Sequence, residues 1–199
     1  LLTAAFSYLA KAPFDAETRI RAVEVLANCA GELGMVGGQV LDMMSEERQC
    51  TQQEVLDIQS RKTGALIRAA CMLGVIAAGG TDKQLAAAAE FASHLGLAFQ
   101  IRDDMLDVIG TKEEMGKGVG TDAAKNTFVR LYGLDKCEEL VRKYTDFAIR
   151  CLSQFEDTDF TKALAEELTT RIFPGIIDAL LRRVIKIIIF RWRNLFPLF

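Results

Sequence analysis

Apolar residues recur every three or four positions along almost the whole chain, which is the spacing of a helix with one buried face. The pattern is interrupted at Pro13, over residues 45–51, at Gly79-Gly80 and over residues 111–125. We therefore predict helices over residues 2–11, 18–35 with a continuation over 39–44, 53–61, 63–78, 82–109, 127–133, 135–155 and 160–171. The chain is expected to be all-α.

The segment 63–78 is small or apolar at nearly every position. A helix that is apolar all round is usually buried, and 16 residues are short for crossing a bilayer, which takes about 20. The segment also contains Arg68, which could pair with an acid in the core and is assigned no chemistry. A core helix is therefore predicted, and no transmembrane span.

The sequence pattern and composition change after Arg171. Pro174-Gly175 breaks the helical pattern, and residues 176–199 mix isoleucine runs with arginine and lysine. We expect one helical domain over 1–171 and an atypical basic and apolar tail over 172–199. The tail is open to three interpretations: an amphipathic helix on a membrane surface, a segment packed on a partner subunit, or a non-native terminus produced by a frameshift.

Composition narrows the class of protein further. Half of the 199 residues are hydrophobic, only three are proline, and the net charge is −3. This favours packed helices over a β-sandwich and argues against nucleic acid as a partner. The five cysteines are widely spaced and odd in number, which is typical of reduced thiols in a cytoplasmic protein.

Three carboxylates stand together near the end of the longest predicted helix. Asp103 and Asp107 are four residues apart and share a face, with Asp104 about 100° around the axis. Negative charges repel one another there and oppose the helix dipole, so a bound cation would relieve them. Mg²⁺ prefers such oxygen ligands and commonly shares its shell with phosphates.

Other polar residues extend this candidate metal site. Gln100 precedes the carboxylates by one turn, and the loop after the helix supplies Lys117 and Lys125. Lys62 and Thr63 stand at the entry to the apolar helix, where an anion would offset the cost of burying the lysine. Together these residues are suited to holding a metal-complexed diphosphate that carries an apolar tail.

Four segments resemble trans-type polyprenyl diphosphate synthases, most closely the bacterial farnesyl and geranylgeranyl diphosphate synthases. They are GGQVLD at 37–42, KTGALI at 62–67, GLAFQIRDDMLDVIG at 96–110 and GK at 116–117. The resemblance covers residues 1–171. It implies an antiparallel helical bundle around a central apolar cavity, and a homodimer.

The resemblance also implies an activity and roles for the candidate residues. The activity is the Mg²⁺-dependent head-to-tail condensation of isopentenyl diphosphate with an allylic diphosphate, giving a short isoprenoid diphosphate. Asp103, Asp104 and Asp107 would be the second of two aspartate-rich metal motifs. The expected contacts to the allylic diphosphate and its closing loop are Lys62, Thr63, Gln100, Lys117 and Lys125, with Gln39 and Asp42 lining the cavity.

The sequence departs from the family pattern at two places. The first aspartate-rich motif is expected upstream of Leu1, so the chain is interpreted as truncated at its N-terminus and inactive alone. Residues 124–129 read AKNTFV where the family has Gly-Lys-x-Thr-Tyr-Pro. The alternatives are a non-catalytic partner subunit of an active synthase and, on a related helical fold, a terpene cyclase.

Overall fold

The computed structural model describes residues 1–115 and 126–170, and the side chains of all of these except 110–115. The α-helices are α1 (Leu2–Lys11), α2 (Ala16–Ala30), α3 (Met35–Met44), α4 (Gln52–Gln59), α5 (Ala65–Ala77), α6 (Asp82–Met115), α7 (Phe128–Tyr132), α8 (Leu134–Cys151) and α9 (Asp159–Thr170). A π-helical turn, Ser60–Gly64, joins α4 to α5, and a 3₁₀ turn follows α8. No strand occurs over these two ranges, and the prediction of an all-α chain is confirmed.

Helix α6 lies at the centre and packs against α5 and α8. Near one end of the α6–α8 pair, the guanidinium of Arg102 lies 2.9 Å from Glu138, and near the other the thiol of Cys151 contacts Glu90. Residue numbers rise along one helix as they fall along the other, so the two helices are antiparallel. Helix α5 also packs along α6, and Gly64, directly before α5, opposes Gly96.

The start of α4 follows the sequence prediction closely. The Thr51 side chain accepts from Glu54 N, and the Glu54 carboxylate accepts from the Thr51 N–H at 2.8 Å, which completes a capping box. Arg48 also bonds to Glu54 and, with the cap, lowers the pKa of that carboxyl to about 2. The cap fixes where the helix that leads to Lys62 begins.

Several predicted helix ends were wrong. Helix α2 ends at Ala30 because Gly31 is extended at the cap and breaks the ladder, so α3 is a separate helix. Helix α6 does not end at Gly110 but continues to Met115, since a single glycine costs only about 1 kcal/mol within a long helix. Helix α8 ends at Cys151 rather than 155.

The prediction of a fully buried helix over 63–78 was also wrong. Within α5 only Ala65, Ala69 and Ile76 are buried, whereas Ala70 and Gly74 are exposed. Over the described residues α5 packs mainly on α2 and α6. A helix whose residues are nearly all small or apolar gives no sequence signal for which of its faces the neighbouring helices cover.

The predicted tail over 172–199 lies outside the described residues, as does the part of the predicted loop over 116–125. Within the part of the chain that is described, no helix is both long enough and apolar enough to cross a bilayer.

Candidate functional site

Lys62 is presented by the π-helical turn at the junction of α4 and α5. Its Nζ lies 2.5 Å from Oδ2 of Asp42 on α3, and both side chains are about one-third exposed. Helix α3 approaches closely because residue 38 is glycine: a Cβ there would clash with the Lys62 amide nitrogen and lie 2.7 Å from Arg61 Cβ. This contact fixes the position from which the Lys62 ammonium group reaches the cavity described below.

A chain of hydrogen bonds connects the π-helical turn to the candidate metal helix. The Thr63 hydroxyl donates to Oε1 of Gln100 at 3.1 Å, and Nε2 of Gln100 donates to Oδ1 of Asp104 at 3.3 Å. Gln100 and Asp104 are four residues apart on α6 and therefore share a face. The sequence prediction that the Gln100 amide lies beside the aspartates is confirmed for Asp104.

Asp104 is turned into the protein. Only 7% of the residue is exposed, and its Oδ2 accepts from the backbone N–H of Phe128 at 2.8 Å. Burial is the main reason why the pKa of Asp104 is raised to about 6, and the negative charges of Asp103 and Asp107 add to the effect. Both carboxylate oxygens have protein donors, which lower the pKa, but the opposing effect of burial is larger.

Asn126 forms a contact that the sequence did not suggest. Its Nδ2 donates to the carbonyls of Ser45 and Arg48, each at 3.0 Å, while its Oδ1 accepts from Cys50 N at 2.8 Å and from the Arg130 guanidinium at 3.1 Å. One amide thereby connects the loop after α3 to the segment before α7. No sequence signal for this connection was available, because the three backbone partners lie 76 to 81 residues away.

A cavity of about 400 Å³ opens between these elements. Its lining residues, which share a polar character, are Asp42, Ser45, Glu46, Gln59, Lys62, Asp104, Asp107, Asn126 and Thr127. Lys62 and two of the three predicted metal ligands thus border one space. Thr63 and Gln100 are connected to it through Asp104.

The other predicted site residues are distributed as follows. Asp103 is half-buried and Asp107 is exposed, on one face of α6, and Gln39 is exposed on α3. Over residues 1–115 and 126–170, no three His, Cys, Asp or Glu side chains converge closely enough to hold a metal ion by themselves. Lys117 and Lys125 lie outside the described residues.

The all-helical fold, with carboxylates and a lysine bordering one cavity, is of the isoprenoid-synthase type. The sequence model of the polyprenyl synthetase family matches residues 1–168, and the chain belongs to that family.

Curated relatives agree with the assignment. Farnesyl diphosphate synthase of Bacillus subtilis (strain 168) is 41% identical over 140 residues, which are 68% of this chain and 47% of the relative. Farnesyl diphosphate synthase of Haemophilus influenzae is 39% identical over 175 residues, 84% of this chain and 58% of the relative. The chain spans about half the length of the curated relatives it matches.

Solved structures show the same fold. An FPP/GFPP synthase from Zymomonas mobilis superposes with a TM-score of 0.73 at 30% identity, over 83% of this chain and 57% of that one. A farnesyl-diphosphate synthase from Marinomonas sp. MED121, described as putative, gives 0.71 at 32% identity, over 84% and 58%.

Proposed function

We propose that this chain supplies the second metal-binding wall and the allylic-diphosphate contacts of a farnesyl or geranylgeranyl diphosphate synthase. The reaction is the condensation of isopentenyl diphosphate with an allylic diphosphate. The observation that carries the proposal is that Lys62, Asp104 and Asp107 border one polar cavity of about 400 Å³.

Lys62 is assigned to the diphosphate oxygens. An ammonium group has three donors, so the bond to Asp42 leaves others for a ligand. A diphosphate that enters the cavity brings strong acceptors and negative charge to a lysine that is already oriented. The positive charge stabilises diphosphate as it departs from the allylic carbon.

Mg²⁺ fits this donor set. It commonly takes one or two carboxylates and fills its shell with water and phosphate oxygens, so convergence of three protein carboxylates is not required. Of the three aspartates, Asp103 and Asp107 are assigned as direct ligands. Asp104 is assigned to anchoring this face of α6, because both of its oxygens already accept hydrogen bonds. When bound, the ion supplies further positive charge to the leaving group.

Thr63 and Gln100 are assigned to orientation at the same site. Their mutual hydrogen bond and the bond from Gln100 to Asp104 hold two polar side chains beside the cavity. Lys117 and Lys125 are proposed as the closing contacts on the diphosphate, on the strength of the family motif alone. Gln39 is proposed to line the cavity in the presence of substrate.

The proposal extends to assembly and location. A homodimer is supported by large apolar side chains exposed on α1 and α2, Tyr8 at 78% and Ile20 at 68%. A cytoplasmic location is supported by five cysteines that are all free. Sedimentation equilibrium of the purified chain tests the dimer.

The function is tested by binding of inorganic diphosphate to the full chain, measured calorimetrically with and without Mg²⁺. We expect Mg²⁺-dependent binding that Lys62→Ala and Asp107→Asn each weaken at least about tenfold, since a charge-assisted hydrogen bond contributes about 1.5–3 kcal/mol. Asp146→Asn is the matched control, because Asp146 is exposed on α8 and away from the cavity. Absence of Mg²⁺-dependent binding would contradict the proposal and favour the non-catalytic partner subunit.

A further inference from the structure

A second cavity, of about 340 Å³, lies between α4, the π-helical turn, α5, α6 and α8. It is bordered by Ser60 and Gly64 of the π-helical turn, whereas Lys62 stands between these two in sequence. Two residues are about half a turn of helix, so Lys62 points to the other side. Among their described lining residues, the two cavities have only Gln59 in common. The second cavity is therefore separate from the proposed diphosphate site.

Arg68 brings a positive charge to this cavity. The sequence allowed an acidic partner for it in the core, but over the described residues its guanidinium has neither a hydrogen bond nor an ion pair. The one acid among the cavity's described lining residues is Asp57, and its carboxylate is already bonded to Arg61 at 2.9 Å. A half-buried guanidinium with five unused donors is suited to a carboxylate or a phosphate.

The opposite wall is apolar and aromatic. Leu56 and Leu97 contribute aliphatic surface, and the rings of His94 and Tyr144 lie with an interplanar angle of 20° and centroids 6.1 Å apart. The Phe147 ring packs on His94 at 5.5 Å and holds it in place. A flat or apolar body can rest on this wall while a charged group reaches Arg68.

We propose that this cavity binds an amphipathic organic anion. Its carboxylate or phosphate pairs with Arg68, and its apolar or aromatic body lies on Leu56, Leu97 and Tyr144. A volume of about 340 Å³ falls within the range of small-molecule sites, about 300–1,000 Å³, and such sites combine an apolar lining with a few polar groups as this one does. Nothing in the proposed condensation uses Arg68, so the site is independent of that reaction.

The chain contains a reporter for this cavity, because His94 is its only histidine. We would follow the His94 ring protons by NMR at constant pH while titrating phenyl phosphate or benzoate into the full chain without Mg²⁺. Two control titrations separate the parts of the ligand: inorganic phosphate supplies the anion without the ring, and phenol supplies the ring without the anion. The expected result is a saturable shift with phenyl phosphate or benzoate, at least tenfold tighter than with either part alone. The tighter of the two ligands identifies the preferred anion.

Variants assign the binding to Arg68. Arg68→Gln is expected to weaken binding at least tenfold, while Arg68→Lys retains part of it. Lys83→Gln removes the same charge from an exposed position on α6 and should change nothing. Lys62→Ala should also leave the titration unchanged, which separates this site from the diphosphate site. No saturable shift with either ligand, or an equal loss in Lys62→Ala, would overturn the proposal, and the wild-type titration decides it even where a variant fails to fold.

Discussion

The backbone N–H of Phe128 donates a 2.8 Å hydrogen bond to Oδ2 of Asp104, which lies 24 residues earlier in the chain. The bond attaches the start of α7 to the helix that carries the proposed metal ligands. Asp104 is therefore positioned as a structural acceptor within a cluster whose other two members, Asp103 and Asp107, are more accessible. This division of roles distinguishes three aspartates that look equivalent in the sequence.

We predict that Asp104→Asn and Asp104→Ala change the free energy of unfolding at pH 7 in different directions. Asparagine keeps the acceptor for the Phe128 N–H and removes a buried negative charge. Its NH2 group can donate to Gln100 if that amide turns over, since the Thr63 hydroxyl can accept as well as donate, so stability should be maintained or raised. Alanine leaves that N–H without a partner in a buried place, which should cost about 1–3 kcal/mol. Urea unfolding of the two variants measures both effects, and equal losses would contradict the anchoring role.

The raised pKa of Asp104 predicts a pH dependence with a definite sign. In the folded protein the Asp104 carboxyl has a pKa of about 6, whereas an aspartate in the unfolded chain has a pKa of about 3.9. The folded state thus binds more protons between these values, and the contribution of Asp104 to stability falls as pH rises through this window. Unfolding is measured for wild type and Asp104→Asn from pH 4 to 7.5 without divalent cations. The stability of the variant should increase relative to that of wild type as pH rises.

A second prediction concerns Asn126. Asn126→Ala removes four side-chain hydrogen bonds, three of which connect the loop after α3 to the segment before α7, while the fourth is with Arg130. At about 0.5–1.5 kcal/mol each, with partial replacement by water, a loss of about 2–3 kcal/mol is expected. Asn126→Asp keeps the acceptor oxygen but places a carboxylate oxygen against the Ser45 and Arg48 carbonyls, so it should destabilise as well. Denaturant unfolding gives the comparison.

Asn28→Ala is the control for this prediction, because Asn28 is exposed within α2 and alanine is the better helix former. It should be neutral or slightly stabilising. An Asn126→Ala variant as stable as Asn28→Ala would show that solvent replaces the amide without cost.

The glycines of α3 and α5 give a third prediction. Gly38→Ala forces a methyl group against the Lys62 backbone and should destabilise the protein by about 1–3 kcal/mol, with weaker Mg²⁺-diphosphate binding because Lys62 is displaced. Gly74→Ala should instead stabilise by about 0.5–1 kcal/mol, since a Cβ there meets nothing within 4 Å and alanine favours the helix. Thermal unfolding and calorimetry of both variants test this; a gain in Gly38→Ala would exclude the close approach of α3.

Local features of the fold were predictable because their partners lie close in sequence. The capping box of Thr51 and Glu54, and the approach of Gln100 to Asp104, both follow from spacings of three or four residues. The apolar periodicity likewise identified the helices, although glycines misled the prediction of their ends in two opposite ways. Gly31 ended a helix, whereas Gly110 did not.

The contacts that complete the candidate site could not be predicted in this way. Asn126 bonds to backbone groups that any residue could present, so its partners leave no trace in side-chain identity. The inward orientation of Asp104 depends on the placement of α7, which follows a segment without apolar periodicity. An acidic partner in the core was one possibility for Arg68 on the general ground that buried charges are paired, and the structure places Arg68 at a cavity instead.

The last prediction concerns Arg102, directly before the aspartates. Its Nε donates to the Thr169 carbonyl at 2.6 Å and its guanidinium pairs with Glu138 at 2.9 Å, while only 11% of the side chain is exposed. One planar group thereby joins α6, α8 and α9. The guanidinium reaches the two acceptors from two different nitrogens, Nε and Nη2, whereas a lysine would have to reach both from one point. Arg102→Lys should therefore cost about 2–3 kcal/mol in urea unfolding.

Arg142→Lys provides a matched comparison with Arg102→Lys, because Arg142 pairs with the same Glu138, at 3.5 Å, from a side chain that is 75% exposed. An exposed ion pair contributes about 0–1 kcal/mol, so this variant should unfold close to wild type. A difference between the two variants would assign the stabilisation to the buried fork and the Thr169 carbonyl rather than to the charge of Glu138. Equal effects would mean that Arg102 contributes only its charge, and that α9 is held against α6 by apolar packing alone.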